Sequence, residues 1–207
     1  MLSFEEIQYS RFAHDQIIAL FSRLSDEDIR LRFAHPVSRE YVDDYVDNIF
    51  DGVLSGNRVI YGAFNLHMMP EDLVGIIEVT KIGNNAAEIA LVVDENFRGM
   101  KIGSTLLQKA MAWISNRYID KVYSLCLTEN SPMMKLVRKN GFTITSSYGE
   151  SEAIKVPLSP TFFSISKEME AKLYRMTGLL TNLGKTNWIE FWKNFYGGNN
   201  GITKDKK

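Results

Sequence analysis

Apolar positions along the chain switch between two periods. Ile17, Ile18, Leu20, Phe21 and Leu24 recur at helical spacing and predict a helix over 14–24. Ser25 followed by Asp28 is a start signal for a second short helix reaching Phe33. Tyr41, Tyr45, Val46, Ile49 and Val53 mark the inner face of a third, over 38–54, stopped by Ser55-Gly56-Asn57. The period then changes. Residues 58–66, 73–82 and 86–94 read as strands, separated by a loop holding His67, Met69 and Pro70 and by the turn Gly83-Asn84-Asn85. Connections this short predict an antiparallel meander. Residues 1–10 give no clear element; Glu5 and Glu6 fall together there.

A loop over 95–101 leads to a helix over 102–118 and a buried-type strand over 121–128. Ser131 as N-cap with Pro132 at the first helical position opens another helix, which Asn140-Gly141 closes with a left-handed cap. Strands follow over 142–147 and 153–157. Strand and helix alternate from Ala86 to Ser147, predicting a mixed sheet with helices packed on it. Beyond Pro160 the composition turns basic, with 8 Lys/Arg against 4 Asp/Glu in 161–207. Residues 166–180 and 187–196 read as two helices, the second carrying Trp188, Ile189, Phe191, Trp192 and Phe195 on one face. Residues 197–207 read as a Gly/Asn/Lys tail. The expected organisation is one domain over 1–160, a helical extension over 161–196 and the tail.

The 207 residues are 45% hydrophobic and 24% charged, an ordinary globular balance. A net charge of -1 supplies no basic field for nucleic acid or an anionic membrane. The N-terminus lacks a signal-peptide pattern, and no apolar run reaches membrane-spanning length, so the expected location is cytoplasmic. The single Cys126 forms no internal disulfide and reads as core. His14, His35 and His67 have no metal-ligand spacing, and no metal is expected. The methionine pairs read as packing residues.

The chemistry is concentrated in Glu88-Ile89-Ala90-Leu91-Val92-Val93, the loop through Arg98 and Gly99, and the helix start at Ile102. A strand, loop and helix N-terminus in this order gather unpaired N–H groups at the positive end of a helix dipole, a place that binds phosphate. Arg98 and Lys101 add charge, while Gly99 and Gly103 remove Cβ obstruction. Met100, Ile102 and Ser104 complete the loop.

This segment resembles motif A of the GNAT superfamily of N-acetyltransferases, whose pyrophosphate loop reads Q/R-x-x-G-x-G/A. The match is Arg98-x-x-Lys101-x-Gly103, with Lys101 where the family usually has its first glycine. Three further stretches support the resemblance. Ala87-Glu88-Ile89 is similar to the start of the family's fourth strand. Asn130 with Met134, Leu136, Lys139 and Gly141-Phe142 is similar to the segment after its fifth strand. Phe21 to Phe33 resembles the first-helix region of bacterial protein-lysine acetyltransferases.

The resemblance implies a mixed, mostly antiparallel α/β sheet flanked by helices. It also implies acetyl-CoA as cosubstrate, transferring its acetyl group to a primary amine of a small molecule or protein lysine. The pantetheine arm would bond Leu91, Val92 and Val93, the pyrophosphate would lie on 98–104, and Asn130 would reach the arm or a water. Glu88 is the expected general base, with Glu78 in reserve. The N–H of Val92 or Val93 would stabilise the thioester oxygen. At Leu136-Val137 the chain lacks the tyrosine that many family members use as general acid. That absence, with Lys101, leaves a weakly catalytic acyl-CoA-binding module as the alternative. The aromatic helix would be a core, dimer or partner contact.

Overall fold

The computed structural model describes residues 1–67 and 72–173. Seven strands form one sheet in the order β1-β2-β3-β4-β5-β7-β6. They are β1 (Leu2–Glu6), β2 (Arg58–Asn65), β3 (Asp72–Ile82), β4 (Ala86–Val93), β5 (Lys121–Leu127), β6 (Thr143–Ser147) and β7 (Glu150–Lys155). All neighbours run antiparallel except β4 and β5. Helices α1 (Arg11–Arg23), α2 (Asp26–Phe33) and α3 (Arg39–Leu54) precede β2; α4 (Ile102–Ser115) and α5 (Ser131–Lys139) flank β5.

Strand alternation sorts the core into two layers. Ala87 and Ile89 of β4 and Val122 and Cys126 of β5 pack against Leu106, Ala110 and Trp113 of α4 and Val137 of α5. On the opposite face, Ile76 of β3 and Val92 of β4 meet Leu20 and Phe21 of α1, Ile29 of α2 and Val46 and Ile49 of α3. Each fully buried Val, Leu, Ile or Phe among them contributes about 1.5–3 kcal/mol.

The caps explain where the helices start. Ser10, Ser25 and Ser38 accept hydrogen bonds from the backbone N–H groups of Ala13, Asp28 and Tyr41. Helix α1 therefore begins three residues before the expected point. At α5 the cap is Asn130 rather than Ser131: its side chain accepts from the Met133 N–H at 3.1 Å, and Pro132 lies in the first turn. Gly141, at φ 75°, provides the left-handed exit. Helix α4 stops at Ser115 rather than 118, and Tyr118 turns to positive φ.

Strand β1 corrects the sequence reading, which assigned residues 1–10 no element. It adds to the sheet edge through Leu2↔Asn65 to Glu6↔Tyr61. Leu2 and Phe4 pack on the α4 side of the core. Five residues, two of them adjacent glutamates, are too few to show a period of two.

The chain divides after Pro160. In the second unit residues 162–173 form a helix, opened by reciprocal bonds between Thr161 and Ser164. The remainder of the expected 166–180 helix, the aromatic 187–196 helix and the tail lie outside the described residues. No described helix is long and apolar enough to cross a membrane.

Candidate active site

The site is a fork in the sheet. The parallel pairing of β4 with β5 covers only Ala86↔Lys121, Ala87↔Val122 and Glu88↔Tyr123. Strand β4 continues against β3 as far as Val93↔Gly75. From Ile89 to Val93 its other edge has no strand partner among the described residues. That open edge offers backbone donors and acceptors to an amide-rich ligand.

Beyond the fork, Asp94 caps a 3-10 turn over Glu95–Phe97 by accepting from Asn96 N–H at 3.0 Å. Arg23 reaches the other oxygen of the same carboxylate at 3.1 Å. Burial pushes the Asp94 pKa up, but the Asn96 backbone N–H, Arg23 and the Asn96 side chain outweigh it and hold the carboxyl below its ordinary value.

The loop then bends through Gly99 at φ 79° and Lys101 at φ 62°. Lys101 is the N-cap residue of α4, in left-handed backbone, and makes no side-chain capping bond. A glycine would adopt this conformation without a Cβ penalty, which explains the family preference there. With no side-chain cap, the first N–H groups of α4 stay available to an anion. A Cβ on Gly103 would come 3.2 Å from Leu91 Cδ2, so glycine here lets helix and strand pack closely without displacing that side chain.

Loop, open edge and α5 enclose a cavity of about 590 Å³. Of the expected cofactor residues, Leu91, Val92, Val93, Arg98, Gly99, Lys101, Ile102, Gly103, Ser104 and Asn130 line it; Met100 is exposed and does not. Lys135 and Lys139 of α5 line it too. The sequence reading gave Lys135 no role and used Lys139 only for the resemblance. Their i,i+4 spacing, one helix face opposite a basic loop, was the available signal. Arg98 is held in place, its Nε donating to Val93 O at 3.3 Å and its Nη2 to Asp28 Oδ1 at 2.5 Å.

A smaller cavity of about 210 Å³ shares Leu31, Arg32, Leu91, Asn130 and Met133 with the first. Glu88 lines it, with His35 and Tyr41 on one side and Ser124, Leu125 and Cys126 on the other. Glu88 is partly buried. Glu78 and Glu88 share a sheet face, but Glu78 is fully engaged. It accepts from Arg32 at 2.9 Å, Arg58 at 2.8 Å, Thr80 at 3.0 Å and the Tyr45 hydroxyl. Burial disfavours the charge on Arg32, yet Tyr45, Glu78 and Glu88 around it hold its pKa above the ordinary value. Burial pushes the Tyr45 phenol far up. Burial likewise raises the Cys126 thiol, whose Sγ contacts Met134 Sδ at 3.6 Å.

The profile of the Acetyltransferase (GNAT) family matches residues 26–142, more than half of the chain. The chain belongs to that family. It is 30% identical over 125 residues to streptothricin acetyltransferase of Escherichia coli, covering 58% of this chain and 65% of that one. The chain thus spans just under two thirds of that relative. The GNAT domain of Streptomyces lividans PAT superposes with a TM-score of 0.59 at 20% identity, over 74% of this chain and 89% of that one. PaiA N-acetyltransferase of Thermoplasma acidophilum, solved in complex with coenzyme A, gives 0.57 at 22%, over 74% and 99%. These likenesses establish the fold: a GNAT sheet, mixed and mostly antiparallel, flanked by helices.

Proposed function

We propose that the chain transfers an acetyl group from acetyl-CoA to a primary amine. The observation that carries this reading is the fork: the unpaired edge of β4 and the uncapped start of α4 face one cavity, and Glu88 stands at the last β4–β5 pair. The cradle fits the cosubstrate. The α4 N–H groups with Arg98 and Lys101 suit a pyrophosphate, and Lys135 and Lys139 suit a further phosphate. Residues 91–93 offer the pantetheine arm a strand edge.

Acetyl-CoA supplies a thioester, an acyl donor with a good leaving group. The chain supplies orientation and a base. A free alkylamine has a pKa near ~10.4 and is mostly protonated at pH 7. Glu88 draws in the amine, whose neutral form attacks, and accepts the proton that the nitrogen sheds as the C–N bond forms and makes it strongly acidic. A β4 N–H, that of Val92 or Val93, donates to the thioester oxygen. Glu78 belongs to the buried ion network and supports the sheet face instead of acting as the base.

The acceptor cavity is small, with polar and apolar lining in equal measure and Glu88 as its carboxylate. It suits an amine on a slender arm, as on a small molecule; the streptothricin relative favours that class over a protein lysine. The test is calorimetry with CoA, followed by thiol release from acetyl-CoA over a panel including streptothricin, short alkylamines and lysine peptides. CoA binding with turnover of a small amine is expected. Binding without turnover on any acceptor would move the chain to the acyl-CoA-binding module. Absence of CoA binding would overturn the reading.

A further inference from the structure

Ser124 is 1% exposed, and its Oγ has no hydrogen-bond partner. A buried hydroxyl without a partner costs about 1–3 kcal/mol, so its retention calls for a use. Its place in the fold suggests one. Tyr123 makes the last pair with β4, opposite Glu88, and Ser124 is the next residue of β5, where the strands part. Ser124 and Glu88 line the same cavity.

They do so from opposite faces. Ala87 and Ile89 bury on the α4–α5 side, so Glu88 between them points to the α1–α3 side. Val122 and Cys126 bury on the α4–α5 side, and Ser124 shares their parity. A nucleophile brought in by Glu88 therefore reaches a carbonyl in the fork from one face, and the leaving group departs towards the face that holds Ser124. The positions where the family tyrosine is expected, Leu136 and Val137, carry no donor.

We propose that Ser124 is a catalytic residue whose hydroxyl donates a hydrogen bond to the departing sulfur. This rests on the acetyl-transfer reading above. The amine nitrogen bonds the carbonyl carbon, the C–S bond breaks, and sulfur keeps the electron pair as the CoA thiolate. The amine proton passes to Glu88. Ser124 keeps its own proton, because a serine hydroxyl is a far weaker acid than a thiol near ~8.5. It stabilises the charge on sulfur without titrating.

The test uses the full chain with CoA bound, following the far-ultraviolet thiolate absorbance against pH with desulfo-CoA as blank. This readout needs no acceptor. In the wild type the bound thiol should titrate about one pH unit lower than in Ser124→Ala, the scale of a hydrogen bond to a charged group. Ser124→Thr, which keeps the hydroxyl, should follow the wild type. The alanine variant should melt no earlier than wild type, since the lost hydroxyl made no bond. Equal titration in wild type and Ser124→Ala, both folded and saturated with CoA, would overturn the role of Ser124 and leave the cradle standing. Failure of the wild type to bind CoA would instead remove the reading on which the role rests.

Discussion

Asp28 of α2 accepts from Arg98 at 2.5 Å, so a helix of the acceptor side is tied to the phosphate loop. Asp28 is buried, whereas the Arg98 side chain is 43% exposed. On the proposed reading, the same guanidinium serves the Asp28 carboxylate behind it and a diphosphate in front. Asp28→Asn should therefore act in opposite directions on two measurements. Removing a negative charge near the phosphates should tighten CoA binding about threefold at low salt, with the gain fading as salt rises. Loss of a charge-assisted bond should lower stability by about 1–2 kcal/mol, read from denaturant midpoints. Weaker CoA binding would mean that Asp28 orients Arg98 more than it competes for it.

Gly103 separates two explanations of a glycine. Gly103→Ala brings a methyl against Leu91 Cδ2, the end of a flexible side chain, and should cost CoA affinity only severalfold. Gly103→Glu places a carboxylate at the α4 N-terminus, against a diphosphate. Binding should fall by about a hundredfold, the scale of a like charge a few ångströms away in a partly excluded site. Calorimetry gives both values. Equal small losses would show that this end of α4 does not face the phosphates.

The parts of the fold legible in sequence were those with long periods or strong punctuation. Helix α3 shows four turns of apolar spacing. Asn140-Gly141 marks the exit of α5, where Gly141 takes left-handed backbone. The loop from Arg98 to Gly103 was legible because glycine and charge at fixed offsets are local facts. Strand β1 was not, since its pairing with β2 joins residues some sixty positions apart. The engagement of Glu78 was equally hidden. Nothing near it in the chain announces Arg32, Tyr45 and Arg58, which three separate elements deliver to one spot. The orphaned hydroxyl of Ser124 depends on where two strands stop pairing, a tertiary event without a local signature.

Asp94 makes a prediction about acid. Its pKa is held below the ordinary carboxylate value, so the folded state prefers its charged form. That stability is fully present above the unfolded carboxylate range, near ~3.9, and is lost as pH falls through the lower folded value. Asp94→Asn should lose about 2 kcal/mol at pH 7, from weakened bonds to Arg23 and the Asn96 N–H. The gap from wild type should narrow as pH falls below 4. A constant gap across that range, measured by denaturant melts at several pH values, would mean that the loss is steric.

Glu88→Gln tests the base. The substitution keeps size and hydrogen bonding but removes proton affinity. For an alkylamine near ~10.4, raising pH from 7 to 9 increases the neutral fraction by nearly a hundredfold without help from the protein. The variant should therefore lose about a hundredfold in kcat/KM at pH 7, and markedly less at pH 9. CoA affinity should be unchanged, because Glu88 lines the acceptor cavity and not the phosphate cradle. A loss equal at both pH values would assign Glu88 to binding the ammonium instead of deprotonating it. That outcome has a physical basis here. Arg32 carries a charge within Coulombic reach of Glu88, and it is itself committed to Glu78. The carboxylate thus sits where attraction of a cation and acceptance of its proton compete, and the slope of the variant's pH profile decides between them.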